Sequence, residues 1–221
     1  EAGIPVIACD DALEDENKNK LAPWVGIDAY NIGAGVGKWA AEYIKKNNLY
    51  EDKSFGILLM TADTVSSCVP RTEGQIAELK NAFPDIESRI YRADHDTNME
   101  TGNVAAASVI TGNPQITKWL VLAVSDEGAV GAARALESAG LAADSLCVGL
   151  GGYYCPEEFA NETYPFRAAA YFSARDVGGT AAKEMVEYLK NGTPIPETYA
   201  VSATIVEYGD DLNAVMPEYT K

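Results

Sequence analysis

The feature that most constrains this chain is a regular alternation of apolar runs with helical patterns. Strand-like runs fall at Ile4–Cys9, Phe55–Met60, Arg89–Ala93, Trp119–Val124, Leu146–Leu150, Phe166–Phe172 and Val201–Glu207. Helical patterns lie between them, at about 31–47, 71–82, 98–111, 127–140 and 174–190. Runs such as Trp119-Leu-Val-Leu-Ala-Val124 are continuously apolar rather than alternating, which suits parallel strands covered on both faces. Strands that alternate with helices predict βαβ units, and so an α/β fold built on a doubly wound parallel sheet. Right-handed crossovers then bring the C-terminal ends of the strands to one edge, where open α/β sheets bind ligands.

The length of 221 residues predicts one or two domains. Seventeen basic residues face 33 acidic ones, for a formal charge of −16. That charge repels phosphate backbones and anionic headgroups, so nucleic acid and membrane surfaces are poor partners. No apolar run approaches the ~18 residues of a membrane span. The opening EAGIPVIACDD has neither the basic segment nor the long apolar stretch of a signal peptide. Glu1-Ala2-Gly3 reads as a helix end with its glycine stop, running into a buried strand, and leads us to expect further chain upstream. Cys9, Cys68, Cys147 and Cys155 form no CxxC pair, and His95 is the single histidine, so no zinc cluster is expected. Cys9 and Cys147 fall in apolar runs and read as buried. Two disulfides and four thiols both fit the count.

Several motifs resemble catalytic ones and fail on spacing. Ile32-Gly33-Ala34-Gly35-Val36-Gly37-Lys38 lacks the first glycine of a phosphate loop, and Trp39 stands where a magnesium-binding hydroxyl belongs. It reads instead as a helix with small residues packed close to the sheet. Ser125 follows a strand and precedes a helix, but Ala123 breaks the GxSxG pattern of a nucleophile elbow. His95, within Asp94-His95-Asp96-Thr97-Asn98, reads as a solvated loop histidine. Asp10-Asp11 offers either a carboxylate pair for metal or acid chemistry or hydrogen-bond acceptors for hydroxyl groups. No second acidic cluster at comparable strand ends supports a metal, so neither metal nor cofactor is expected. Asn161-Glu162-Thr163 matches a glycosylation sequon by pattern alone.

The groups at or after the strand ends are Asp10, Asp11, Arg71, Ser125, Asp126, Gly151, Tyr153, Tyr154 and, after the run Phe166–Phe172, Ser173 and Arg175. Carboxylates and a guanidinium satisfy hydroxyls that both donate and accept, and aromatic rings cover C–H faces. This inventory suits a neutral polyhydroxylated ligand and lacks a nucleophile–base pair. Asp126 could equally be a helix cap, and Tyr153-Tyr154 could be surface tyrosines. Arg71 at a helix start opposes the dipole, which favours a ligand-binding role.

These residues resemble a known family. Ile4-Pro-Val-Ile-Ala-Cys-Asp-Asp11, Arg71-Thr-Glu-Gly74, the segment Trp119–Leu136, Cys147-Val-Gly-Leu-Gly-Gly152 and Ser173-Ala-Arg-Asp-Val-Gly-Gly179 are collinear with periplasmic sugar-binding proteins of the type I fold, most closely the arabinose-binding branch. The resemblance implies two α/β lobes, joined by three crossing strands, with the sugar in the cleft between them. Residues 28–172 would form the complete C-terminal lobe. Residues 1–27 with 173–206 would form part of the N-terminal lobe, whose first half is expected to be missing, and 207–221 would hold the third crossing and the tail. Asp10 matches the family's sugar-binding aspartate and Arg71 its sugar-binding arginine. Ser125, Gly151 and Tyr154 stand where the family has polar ligand contacts. These departures imply an altered ligand, larger or less polar, filling the space above Gly151.

The resemblance further implies a monomeric solute-binding protein of an ABC importer. It would be periplasmic or extracellular, in one form lipid-anchored upstream, closing on a small sugar and delivering it to membrane permease components. The effector-binding domain of a lac-repressor-family regulator shares the fold and is the alternative. A hydrolase or isomerase using Asp10 and Asp11 is the third reading, disfavoured because no base-plus-partner arrangement is visible.

Overall fold

A computed structural model describes residues 3–220. The expected helix end at Glu1-Ala2-Gly3 therefore falls largely outside the described residues, with only Gly3 within them. In chain order the elements are β1 (Ala8–Cys9), β2 (Trp24–Ile27), α1 (Ala29–Lys46), β3 (Phe55–Thr61), α2 (Val69–Ala82), β4 (Ile90–Asp94), α3 (Met99–Gly112), β5 (Lys118–Ala123), α4 (Asp126–Ser138), β6 (Leu146–Gly151), α5 (Cys155–Glu158), β7 (Phe166–Tyr171), α6 (Ala174–Asn191), β8 (Thr198–Val201), β9 (Thr204–Glu207) and α7 (Leu212–Val215). Contacts divide the chain into two compact units. One is Glu1–Asp28 with Phe172–Ala203, the other Ala29–Tyr171 with Thr204–Lys221.

The larger unit holds a six-stranded sheet in the order β4-β3-β5-β6-β7-β9. The first five strands run parallel, and β9 closes the edge antiparallel to β7. β3 is buried at every residue and β5 at all but Lys118, as a sheet covered on both faces requires. From β3 the chain crosses to β4 on one side, while from β5 it crosses to β6 on the other. Right-handed crossovers therefore place α2 on one face and α3 with α4 on the opposite face. α1 packs on α2, and α3 on α4. A core of Leu58, Met60, Trp119, Val121, Leu136, Tyr164 and Phe166 sits between β-sheet and helices, with Met216 of the C-terminal segment buried against it.

The smaller unit holds a parallel three-stranded sheet in the order β1-β2-β8, with α6 packed on β1 and β2. It buries few apolar side chains, among them Ala8, Val25, Ile27 and Val177. Ile4 is 74% exposed, and Val6 is exposed too, so the buried strand expected over Ile4–Cys9 shrinks to two residues. The run Val201–Glu207 is likewise not one strand. Val201 ends β8 in the small sheet and Thr204 begins β9 in the large one, so residues 204–206, expected with the partial lobe, belong to the larger unit. β2 was not expected as a strand. Its four residues follow Pro23 and are too short to register as an apolar run.

None of the four cysteines is in a disulfide. Cys147 is buried, whereas Cys9 is exposed, contrary to the reading of its apolar run: it ends a strand with little covering it.

Candidate functional site

In the larger unit the crossovers diverge between β3 and β5, so the C-terminal ends of these strands form the topological switch point where α/β sheets bind ligands. Arg71, in the first turn of α2, reaches it. Its Nη1 donates to the Val124 carbonyl at 2.7 Å, just past the end of β5. One helical turn on, Gln75 donates Nε2 to the Ala123 carbonyl at 3.1 Å. These two bonds pin α2 to the end of β5 and fix the direction of the guanidinium. The buried Arg71 Nε has no protein partner. The Val124 carbonyl offsets the unfavourable place of the guanidinium at the positive end of α2.

The small residues of α1 explain how α2 comes so close. A Cβ at Gly33 would strike the Arg71 backbone, one at Gly37 the Gln75 backbone, and one at Gly74 the Tyr30 carbonyl. These glycines therefore face the neighbouring helix rather than the sheet alone.

Beyond β5, Ser125 is the N-cap of α4, its Oγ accepting from the Gly128 amide at 3.3 Å. Asp126, at 0% exposure, is neither the cap nor a surface group. Its Oδ2 accepts from the Tyr154 amide at 3.2 Å, and the amides of Gly152 and Tyr153 also point to the carboxylate. The side chain thus holds the loop after β6 in place and is not presented to a ligand. Burial pushes its pKa up to about 7, against the pull of those amides. A Cβ at Gly149 would run into Oδ1, so the glycine makes room for the carboxylate.

That loop is shaped by Gly151 and Gly152, with φ of 134° and 85°, values that suit glycine. The space above Gly151 does not stand open for a larger ligand, as was expected. The ring of Tyr153 fills it, so that a Cβ at 151 would collide with the ring edge. The Tyr153 hydroxyl donates to Glu127 Oε2 at 2.7 Å. Burial, together with Asp126 and Glu127, raises the phenol pKa strongly. Tyr154 is half-buried with its ring 5.1 Å from that of Tyr153, and Tyr219 of the C-terminal segment packs at 6.5 Å from Tyr153 and 6.1 Å from Tyr171. Glu127 and Tyr219 were missed by the sequence reading. Glu127 is an ordinary first-turn acid there, and Tyr219 lies far along the chain from the loop it braces.

His95 is not solvated. It is 3% exposed, its Nδ1 accepts from the Thr97 amide at 3.0 Å, and its Nε2 lies against Gly128 without a partner. Burial lowers its pKa and outweighs the opposing pull of Asp94, Glu127 and Asp96. The imidazole is therefore a neutral packing group beside the start of α4.

Asp10 and Asp11 lie in the smaller unit, exposed at the end of β1. Asp10 adopts φ of 71°, its amide donates to Val25 at 2.9 Å, and its carbonyl accepts from Trp24 Nε1 at 2.7 Å. The backbone is thus tied down while the carboxylate stays on the surface. Among the described residues, no group of three or more His, Cys, Asp or Glu could hold a metal ion, and no helix is long and apolar enough to cross a membrane.

Comparison with known proteins agrees with this architecture. The chain is 30% identical over 202 residues to an ABC transporter L-arabinose-binding periplasmic protein of Azospirillum brasilense, across 87% of this chain and 59% of that protein. It is 27% identical over 188 residues to the L-arabinose-binding periplasmic protein of Escherichia coli K12, across 83% of this chain and 56% of that one. The chain thus spans somewhat over half the length of these relatives. Among solved structures, the Caulobacter myo-inositol-binding protein bound to myo-inositol superposes with a TM-score of 0.79 at 18% identity, covering 97% of this chain and 69% of that one. A periplasmic solute-binding protein from Actinobacillus succinogenes with bound D-allose gives 0.76 at 23%, covering 94% and 70%. This chain shares the type I periplasmic-binding-protein fold with these structures, as one complete α/β lobe with part of a second. The family model described as periplasmic binding protein domain matches residues 1–193, and the chain belongs to that family.

Proposed function

We propose that this chain is the sugar-binding part of an ABC importer's solute-binding protein, monomeric, working in the periplasm or outside the cell and delivering its ligand to a membrane permease. The observation that carries this reading is Arg71, half-buried, its guanidinium fixed at the switch point by the Nη1 bond to the Val124 carbonyl. A pre-oriented guanidinium suits a neutral ligand rich in oxygen acceptors, because its remaining N–H groups donate in fixed directions. The L-arabinose-binding relatives support the ligand class. Ser125 and Tyr154 would contribute polar groups from the same unit and Tyr153 its ring in front of Gly151, while the exposed carboxylates of Asp10 and Asp11 in the smaller unit are able to accept from hydroxyls. Asp126 would act indirectly, by holding the loop.

No catalysis is part of this proposal. Closure on the ligand, if the domains 28–172 and 1–27 with 173–206 act as two lobes, would be the conformational step. A thermal-shift screen of the protein at its full natural length against pentoses, hexoses and polyols tests the reading. A true ligand at a hundred times its Kd should stabilise by about 2.7 kcal/mol, and Arg71→Ala should abolish that gain. Absence of stabilisation by every sugar and polyol would overturn it.

A further inference from the structure

We propose that Tyr153 is the specificity-determining residue of this site, and that it selects sugars presenting a C–H or methyl face, rather than a hydroxyl, to the loop after β6. This rests on the sugar-binding reading above. Gly151 is the last residue of β6, at the ligand-facing edge of the sheet. The Tyr153 ring occupies the direction that a side chain at 151 would take. A ligand approaching that strand end therefore meets the ring where a polar side chain could otherwise have stood. Tyr153 is 37% exposed, so part of the ring remains available to such a ligand.

The ring is held there. Its hydroxyl donates to Glu127 at 2.7 Å, and Tyr154 and Tyr219 flank it. The phenol proton is committed to the carboxylate, so Tyr153 has none to give a ligand hydroxyl. A hydroxyl pressed against the ring face would lose water without gaining a full partner, whereas a C–H or methyl group would be well placed there. The consequence is discrimination between sugars that differ in one hydroxyl, with 6-deoxy members preferred over their hydroxymethyl counterparts.

The test is titration calorimetry of the full-length protein with matched pairs: L-fucose against L-galactose, and L-rhamnose against L-mannose. The native protein should bind the deoxy member of at least one pair about ten-fold more tightly, the scale set by an unpaired buried hydroxyl. Tyr153→Phe keeps the ring and should keep the preference. Tyr153→Ala opens the space and should lose it while still binding sugar. Equal or tighter binding of the hydroxymethyl members by the native protein, or a preference unchanged in Tyr153→Ala, overturns the proposal and leaves the sugar-binding reading intact. Failure of every sugar, including the pentoses of the wider screen, overturns both.

Discussion

Asp126 is a carboxylic acid placed where water does not reach, and its three amide partners only partly compensate. Its pKa of about 7 lies above the ordinary 3.8. Between those values the folded chain keeps a proton that the unfolded chain has released. Folding stability from this group is therefore fully present below about pH 4 and is lost as pH rises through about 7. Asp126→Asn, which stays neutral and can still accept from the loop amides, should flatten that part of the profile. Melting temperatures measured across about pH 4 to 8 should fall for the native chain and stay nearer level for the variant, which corresponds to a stability difference of at most a few kcal/mol. A parallel fall in both would show that Asp126 does not titrate in this window. His95 and Cys9 show why single residues are read poorly from sequence. A histidine among Asp94, Asp96 and Thr97 looks solvated, yet the chain folds it beneath α4. A cysteine in an apolar run looks buried, yet its strand has almost no cover.

The pairing of α1 and α2 depends on contact between backbones. Gly74→Ala would drive a methyl group into the Tyr30 carbonyl and the Ala34 amide, and neither can step aside without moving its helix. A loss of about 1–3 kcal/mol is expected, as for overpacking elsewhere. Because Arg71 lies three residues upstream on the same helix, sugar affinity should weaken as well. Gly35, on the glycine-rich stretch of α1, has open space around its missing Cβ, so Gly35→Ala should instead gain about 0.5–1 kcal/mol from helix propensity. Urea midpoints of the two variants should move in opposite directions. The glycine-rich stretch thus failed as a phosphate loop for a physical reason: its small residues serve helix contact. β3, β5, β6 and β7 were legible because burial on both faces leaves a near-unbroken apolar signature. β2, buried but only four residues long, and β8, mostly exposed, leave no such run, while the run at Ile4–Cys9 overstated the two residues of β1. The split between β8 and β9 turns on which sheet offers each segment a free edge, and one chain's local pattern does not carry that information. In the candidate site, the place of Arg71 at a helix start and that of the glycine–tyrosine loop after a strand were legible. The inward turn of Asp126 and the Glu127–Tyr153 bond were not, since both depend on which way side chains rotate.

The two units differ sharply in how much apolar surface they bury. The larger encloses an extended core, while the smaller leaves Ile4, Leu13, Leu21, Leu189 and Tyr199 exposed. Local opening free energies should follow this difference. Native-state hydrogen exchange should show amides of β2 and the C-terminal half of α6 exchanging well before those of β3 and β5. Equal protection in both would contradict it. The thiols offer a second view of the same contrast. Cys9 lies open to solvent in the small unit, whereas Cys68, Cys147 and Cys155 are buried in the large one, and burial raises the pKa of Cys147 and Cys155 so far that the reactive thiolate is scarce. A maleimide should therefore add once to the native chain and, only after the large unit opens, three times more. Counting adducts by mass would turn four cysteines into a clock for unfolding, and a dye carried on Cys9 would sit beside Asp10 as a reporter of whatever binds there.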